Sequence, residues 1–364
     1  MPMRPFTSAA VLALFAGVAS AQQAERFTLP ASRAAIYDLV GEIQVQAGTA
    51  REVVVEITRG GKDAAELTIE RGPVGGSEAI RILFPSDDIV YPRMSRFSNS
   101  NFQVRDDGTF GDGWNRDRRG RNGRDGSSQV KVRGSGNGLE AYADVRVSVP
   151  EGAEVAVYVG VGKAMVSNVN GTLHVNGSSA SVTAQGIKGV LDISVGSGDV
   201  TVTNADAELS IETGSGNVEV TGMRGRDLDI NTGSGEIRAS DLTLERASVE
   251  TGSGNLVLSG VRGTNLRFET GSGNVDVELA TDVADLSVET GSGDVRLRVP
   301  ETLGAMIDIE TGSGGIEAEM PLEVQRWAKD HVTGRIGNGE GRLTVDTGSG
   351  DIKIARVGTT PARR

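Results

Sequence analysis

The amino-acid sequence predicts an all-β fold, namely a β-solenoid with coils of about 19 residues, two strands per coil and one flexible insertion. The first observation behind this prediction is a repeated segment. "IETGSGNVEV" from Ile211 returns as "INTGSGEIRA", "VETGSGNLVL", "FETGSGNVDV" and "VETGSGDVRL". Steps of 18, 19, 19, 19, 20, 21 and 36 residues separate the first glycines of eight copies, and a fixed period of this size is typical of stacked repeats. These glycines are Gly196, Gly214, Gly233, Gly252, Gly271, Gly291, Gly312 and Gly348.

The second observation is the alternation of apolar and polar residues on both sides of each "GSG". Leu209 and Ile211 precede one such turn, Val218 and Val220 follow it, and polar residues stand between them. Alternation with a period of two is typical of strands, and Val, Ile and Leu suit them. One coil cannot bury an apolar face alone, so the coils must stack. The final step of 36 residues predicts one enlarged or degenerate coil.

Stacking also explains why the same letters recur, because each residue must fit its own copy in the next coil. The threonine before each "GSG" should form a ladder along the axis, and Ser215 and its equivalents should form a second one. The threonines are Thr213, Thr232, Thr251, Thr270, Thr290, Thr311 and Thr347.

The first residues resemble a secretory signal: Arg4, the apolar run "AAVLALFAGVA" and the small residues Ala19-Ser20-Ala21. We predict cleavage after Ala21 and a mature chain that is exported, periplasmic or secreted, without a transmembrane segment. A membrane anchor is the alternative, but the apolar run is shorter than the ~20 residues that a span needs. The absence of cysteine excludes disulfides and thiolate sites.

The sequence divides into five predicted segments. They are a signal peptide (1–21), irregular N-terminal coils (22–92), a flexible insertion (93–138), regular repeats (139–357) and a C-terminal tail (358–364). The insertion is rich in Gly, Asn, Asp and Arg with few aliphatic residues, which predicts flexibility. A shorter departure, "MPLEVQRWAKDHVTGRIGNGEG" from Met320, could contain one or two helical turns after Pro321.

Charge separates the insertion from the rest. The chain carries −12, whereas the insertion has ten Lys or Arg and five Asp. A basic segment on an acidic body could meet an anionic partner or be a solvated loop near its own body. The acidic body disfavours nucleic acid.

The repeated "TGSG[ND]" coils and "RIGNGEGRLTVDTGSGDIKI" from Arg335 resemble a bacterial putative-adhesin family, an exported β-solenoid domain of unknown function. The resemblance covers most of the chain from about Phe27 and is strongest from Asn168 to Ala355. It implies a secreted or envelope-associated β-solenoid, and it implies no catalytic residues.

Two acidic rows raise the question of a bound cation. "GSGDV" resembles calcium-binding glycine-rich rolls, but the residue after the last glycine varies, whereas calcium needs several faithfully repeated oxygens. A structural turn is the other interpretation. A second row should stack like charges on an outward face, compensated by a cation, by arginines such as Arg267 or by solvent. It comprises Glu212, Glu250, Glu269, Glu289, Glu310 and Asp346, interrupted by Asn231.

No set of catalytic residues is visible. The two histidines, His174 and His331, are far apart in sequence, and "GSG" is not the "GxSxG" of a nucleophile elbow. The segment Asp106–Asp117 does not match calcium-loop spacing, and Trp114 among arginines could bind a sugar or an anionic polymer or stand there by chance. We therefore predict no catalytic residue, metal or cofactor.

The predicted function is that of a non-enzymatic, adhesin-like binding or structural module of the cell envelope or extracellular space. Its candidate partners are an envelope polysaccharide or another surface protein. The alternatives are a carbohydrate-active enzyme on an outer solenoid face and a calcium-stabilised solenoid. Open strand edges at the two ends would allow end-to-end self-association.

Overall fold

A computed structural model describes residues 24–111 and 126–358 and confirms the β-solenoid. The chain begins with five strands and one 3₁₀ turn at Ala64–Glu66. Within the described ranges, no helix is long and apolar enough to cross a membrane. The predicted signal peptide lies outside these ranges. The strands are β1 (Glu25–Leu29), β2 (Ala34–Ala47), β3 (Val53–Gly60), β4 (Thr68–Val74) and β5 (Ser77–Leu83).

The insertion that we predicted to be flexible, 93–138, contains two strands in its described parts, and its flexibility stays a prediction. A three-stranded sheet consists of β6 (Asp88–Val90), which precedes the insertion, and of β7 (Asn99–Arg105) and β8 (Ser127–Arg133) within it. Its few apolar residues are enough to form a second core because they pack on the outer face of the solenoid, where Phe110 contacts Tyr37 and Tyr158. The tyrosine rings stack with centroids 4.2 Å apart. Composition did not reveal that this second core receives residues from outside the insertion.

Three long strands connect this region to the coils: β9 (Tyr142–Val149), β10 (Ala153–Ser167) and β11 (Asn170–Gln185). The N-terminal strands join the same stack, because β2 pairs in parallel with β10 along most of its length. β2 also pairs with β5 through its first part and with β9 through its second part. β2 therefore contributes to both of the strand stacks that form the solenoid.

The regular coils form two parallel stacks, as predicted. The first stack continues through β12 (Lys188–Ser197), β14 (Asp206–Ser215), β16 (Asp227–Ser234), β18 (Arg246–Ser253), β20 (Asn265–Ser272) and β22 (Asp285–Thr290). The second continues through β13 (Val200–Thr203), β15 (Val218–Thr221), β17 (Ile237–Ser240), β19 (Leu256–Val261), β21 (Val275–Leu279) and β23 (Val295–Val299). Alternate residues of both stacks meet in one continuous apolar core. The outward sides of the two stacks are here called the A face and the B face.

The last coils do not follow chain order. The strands are β24 (Ala305–Thr311), β25 (Ile316–Glu319), β26 (Glu323–Trp327), β27 (His331–Ile336), β28 (Gly341–Thr347) and β29 (Ile352–Arg356). β28 lies between β22 and β24, and β29 lies between β23 and β25. The final coil of the chain is therefore inserted beneath the preceding one.

The 36-residue step is one enlarged coil, which is one of the two forms that the sequence predicted. The extra residues form an antiparallel hairpin, β26–β27, whose strand β27 pairs with β24 and covers its edge. The helical turns predicted after Pro321 are wrong, because Glu323–Trp327 is a strand. Antiparallel pairing with β27 supplies the backbone bonds that a helix would have made internally.

Candidate functional site

The threonines of the ladder are buried, and most of their hydroxyls form hydrogen bonds between coils. Each of its seven threonines is at most 5% exposed. Five hydroxyls donate to the carbonyl of the last "GSG" glycine in the coil beneath, at 2.9 to 3.3 Å. Thr311 bonds Gly350 and Thr347 bonds Gly293, which follows the order of the coils in space. The recurring threonine therefore serves stacking.

The two glycines of each turn are required by the same close stacking. A Cβ at Gly252 would lie 2.6 Å from the carbonyl oxygen of Gly233 in the coil beneath. At Gly254, where φ is +151°, it would lie 1.9 Å from that of Gly235. Real Cβ atoms do not approach a carbonyl so closely, and a positive φ itself disfavours other residues. Both glycines are thereby explained without a ligand.

Where the residue after "GSG" is Asp or Asn, it also bonds the next coil. Asp199 Oδ1 accepts the backbone N–H of Asn217 at 2.9 Å, and Asn274 Oδ1 accepts that of Asp294 at 2.8 Å. Asp294 in turn accepts the N–H of Asp351 at 3.0 Å. A side-chain oxygen engaged in this way caps a backbone donor, which both Asp and Asn can do. The variation that argued against calcium thus has a structural cause.

The second acidic row lies along the A face, and Arg267 contacts three of its carboxylates, as the sequence suggested. The guanidinium of Arg267 lies 2.6 Å from Glu269, 3.6 Å from Glu289 and 3.8 Å from Glu250. Further along, burial raises the pKa of Asp346, and the nearby carboxylates of Glu310 and Glu289 raise it further. One arginine therefore compensates the middle of the row, while its C-terminal end retains excess negative charge.

Both histidines stand on the A face beside carboxylates. His174 Nδ1 lies 3.3 Å from Asp192, and His331 Nε2 lies 2.8 Å from Asp308. They are at opposite ends of the stack, so the fold does not bring them together. In the part of the chain that the structure describes, no three Asp, Glu, His or Cys side chains are grouped to hold a metal ion.

Shallow grooves lie on both outer faces. The A-face groove, about 480 Å³, crosses four coils and is lined by Asp229, Arg246, Asn265, Arg267 and Asp285 among others. Arg246 is held by two hydrogen bonds to Asp227, at 2.6 and 2.9 Å. The side chains of Asp229, Asn265 and Asp285 have no partner among the described residues. The groove therefore offers fixed cations and free polar groups.

The B-face groove, about 440 Å³, lies nearer the C-terminal end. Arg298 contacts Asp276 at 2.8 Å and Glu278 at 3.0 Å. Lys353 contacts Glu319 at 2.6 Å, and Arg296 lies directly opposite Lys353 in the sheet. Asp276 lies opposite Arg296 on the other side, so the groove is lined by alternating charges of both signs.

The folded insertion forms a third groove of about 410 Å³, between the β4–β5 hairpin and the small sheet. Arg93 anchors the insertion, because it binds Asp144 through two bonds of 2.8 Å and lies 4.5 Å from the centre of the Tyr142 ring. In the segment suggestive of a calcium loop, Asp107 accepts bonds from the backbone N–H and hydroxyl of Thr109. Trp114 lies outside the described residues, so its predicted contact stays a prediction.

Sequence reasoning missed the buried carboxyl of Asp38, which is 0% exposed. Its Oδ1 accepts the N–H of Val40 at 3.3 Å, and its Oδ2 has no hydrogen-bond partner. Burial raises the pKa of this carboxyl well above its usual range. Asp38 lies in the part of β2 that contacts both apolar cores, since Ile36 belongs to the main core and Tyr37 and Leu39 belong to the second core. An acidic residue within an apolar strand was the available signal.

Comparisons with known proteins address the family. No curated protein matches the chain. A solved structure described as a putative cell adhesion protein from Clostridium sporogenes ATCC 15579 is similar, with 10% identity over 92% of this chain and 99% of that one and a TM-score of 0.23. The family model Toastrack DUF4097 matches residues 143–355, which is more than half of the chain. The chain therefore belongs to the Toastrack DUF4097 family.

Proposed function

We propose that this chain is an exported, non-enzymatic β-solenoid that acts as an adhesin-like binding or structural module of the cell envelope or extracellular space. One observation supports it above all: the recurring Thr, Gly and Asx residues form the contacts between coils. The repeats thus build a rigid rod, and its outer faces remain for contact with a partner. The leader around Arg4 and Ala21 supports export.

The candidate partner is an envelope polysaccharide. The A-face groove runs along the solenoid axis, and coils spaced about 4.8 Å apart repeat polar groups at roughly the length of one sugar ring. Asp229, Asn265 and Asp285 are free to bond hydroxyls, while Arg246 and Arg267 are held in place by carboxylates. A surface protein is the other candidate partner.

The experiment measures saturable binding of the mature protein to envelope fractions and a glycan panel. Deletion of the insertion would uncover Tyr37 and Tyr158, so substitutions are the better probe. We expect the A-face variant Asp229→Lys/Asp285→Lys to lose binding and the B-face variant Arg296→Glu to retain it. The reverse pattern would move the site to the B face, and absence of all binding would leave the structural role.

The enzyme alternative is tested on the same glycans. A non-enzymatic module releases no shortened products, even after long incubation of the purified chain with each glycan that it binds. Turnover that is lost in the A-face variant would replace our proposal by a carbohydrate-active enzyme. Binding and product release are therefore measured on the same preparations.

A further inference from the structure

The C-terminal end of the solenoid presents an unusual edge strand. β26 pairs with β27 on one side, and no strand of the described residues pairs with its other side. All five of its residues are exposed, including Val324 at 46% and Trp327 at 53%. An open strand with large apolar side chains is a ready template for pairing with another chain.

The two apolar side chains lie on the same side of β26. Val324 is opposite Gly334 and Trp327 is opposite Val332, and both of those β27 residues are buried. Residues three apart normally point to opposite sides of a strand, but a bulge between Val324 and Arg326 inserts one extra residue. The bulge therefore produces a short apolar strip. It continues the inner side of the sheet, and Met320 and Leu322, which precede β26 in the chain, pack against the main core.

The other terminal strands are protected. β4 contains Pro73 and two charged residues bound to β5, namely Glu70, which contacts Arg81, and Arg71, which contacts Glu78. β1 carries Glu25, which binds Arg59 at 2.7 Å. β25 carries Glu317 and Glu319, both bound to Lys353. Proline and charged side chains are ordinary means of blocking edge pairing, and terminal repeats of solenoids usually have a polar outer surface. β26 has no proline, and its charged residues Glu323 and Arg326 lie on the side opposite to Val324 and Trp327, so its inner side is apolar.

The sequence of β26 is complementary to itself in one antiparallel register. When Val324 faces Trp327 of a second copy, this pair occurs twice, and Gln325 and Arg326, which share one ladder position at the bulge, face the same two residues of that copy. Aromatic and β-branched residues are favourable cross-strand partners, so the two Val324–Trp327 pairs carry the contact. A two-fold arrangement uses the same patch on both copies and closes after two.

We propose that β26 is the interface of a tail-to-tail dimer, formed by antiparallel pairing of this strand with β26 of a second copy. The protected edges at the N-terminal end favour a closed dimer over an open filament. Five-residue strands bury less than the ~1,200 Å² of a standard interface. The dimer is therefore concentration-dependent, and it positions two solenoids with their N-terminal ends apart.

The test is the molar mass of the mature protein by light scattering across a wide concentration range. We expect the mass to rise toward twice the monomer value and the variant Val324→Lys/Trp327→Lys to stay monomeric at every concentration. The matched control is Val257→Lys, at an exposed apolar residue (37%) in the middle of the B face, which should dimerise like the wild type.

A second measurement keeps the proposal testable if the double variant unfolds. Amide hydrogen exchange of the wild-type protein should slow in β26 as concentration rises, with no such change in β4 or β1. A wild-type protein that stays monomeric at the highest concentration overturns the proposal, as does a folded double variant that dimerises normally. Glycan binding is independent of this result, because the A-face groove is distant from β26 in the stack.

Discussion

The inter-coil hydrogen bond of Thr270 provides the sharpest test of the stacking argument. Thr270 is 1% exposed, and its hydroxyl donates to the carbonyl of Gly254 at 3.0 Å. Thr270→Val removes this donor and keeps the shape and strand preference of the side chain. The change isolates the hydrogen bond, because the volume of the buried side chain is nearly unaltered.

The expected cost follows from what the substitution leaves behind. The carbonyl of Gly254 keeps its place but loses its donor, and a buried polar group left unsatisfied costs about 1–3 kcal/mol. A change of that size raises a local opening constant by about 5- to 150-fold. Because each coil contacts only its neighbours, the effect should concentrate in the coils that contain β18, β20 and β22.

The assay is hydrogen exchange combined with urea unfolding. The matched control is Thr221→Val, in which the hydroxyl faces Ser240 at 3.2 Å on the half-exposed B face. Surface substitutions of this kind usually stay within ±0.5 kcal/mol. Equal stability of the two variants would refute the claim that the threonine ladder stabilises the stack through its hydroxyls.

Four further predictions concern other parts of the chain. Gly254→Ala should destabilise the protein by more than the ~1 kcal/mol that a residue with left-handed backbone costs, because its Cβ would also clash with the coil beneath. An unchanged melting temperature would contradict this. The raised pKa of Asp38 makes its contribution greatest below the unfolded pKa of ~3.9, and that contribution is lost as pH rises toward the folded value. Asp38→Asn should therefore gain stability relative to the wild type between pH 4 and 8, whereas parallel pH profiles would exclude this account. Arg267→Gln should destabilise the protein at low salt and much less at high salt, because its three glutamates are then screened; a salt-independent effect would argue for packing instead. A chelator should leave the melting temperature unchanged, and a fall would favour the calcium-stabilised solenoid.

Much of the candidate surface could be predicted because it repeats. The outward acidic row and the position of Arg267 follow from alternation and a fixed period, since both place a residue on a face. The sequence did not predict that the side chains of Asp229 and Asn265 in the A-face groove are free, because their neighbours in space belong to other coils. Pairing of charges depends on which side chains reach each other across strands, and one-dimensional spacing does not contain that information.

The sequence by itself determined the coil. A 19-residue period, alternating strands, turn glycines and stacked threonines are all local patterns, and near-identical copies can stack only in register with each other. Only the tertiary structure decided how the ends are built. The last coil lies beneath β24, the insertion packs on Tyr37 and Tyr158, and β26 remains open. These features depend on single, non-repeated contacts between distant segments, for which the sequence carries no period.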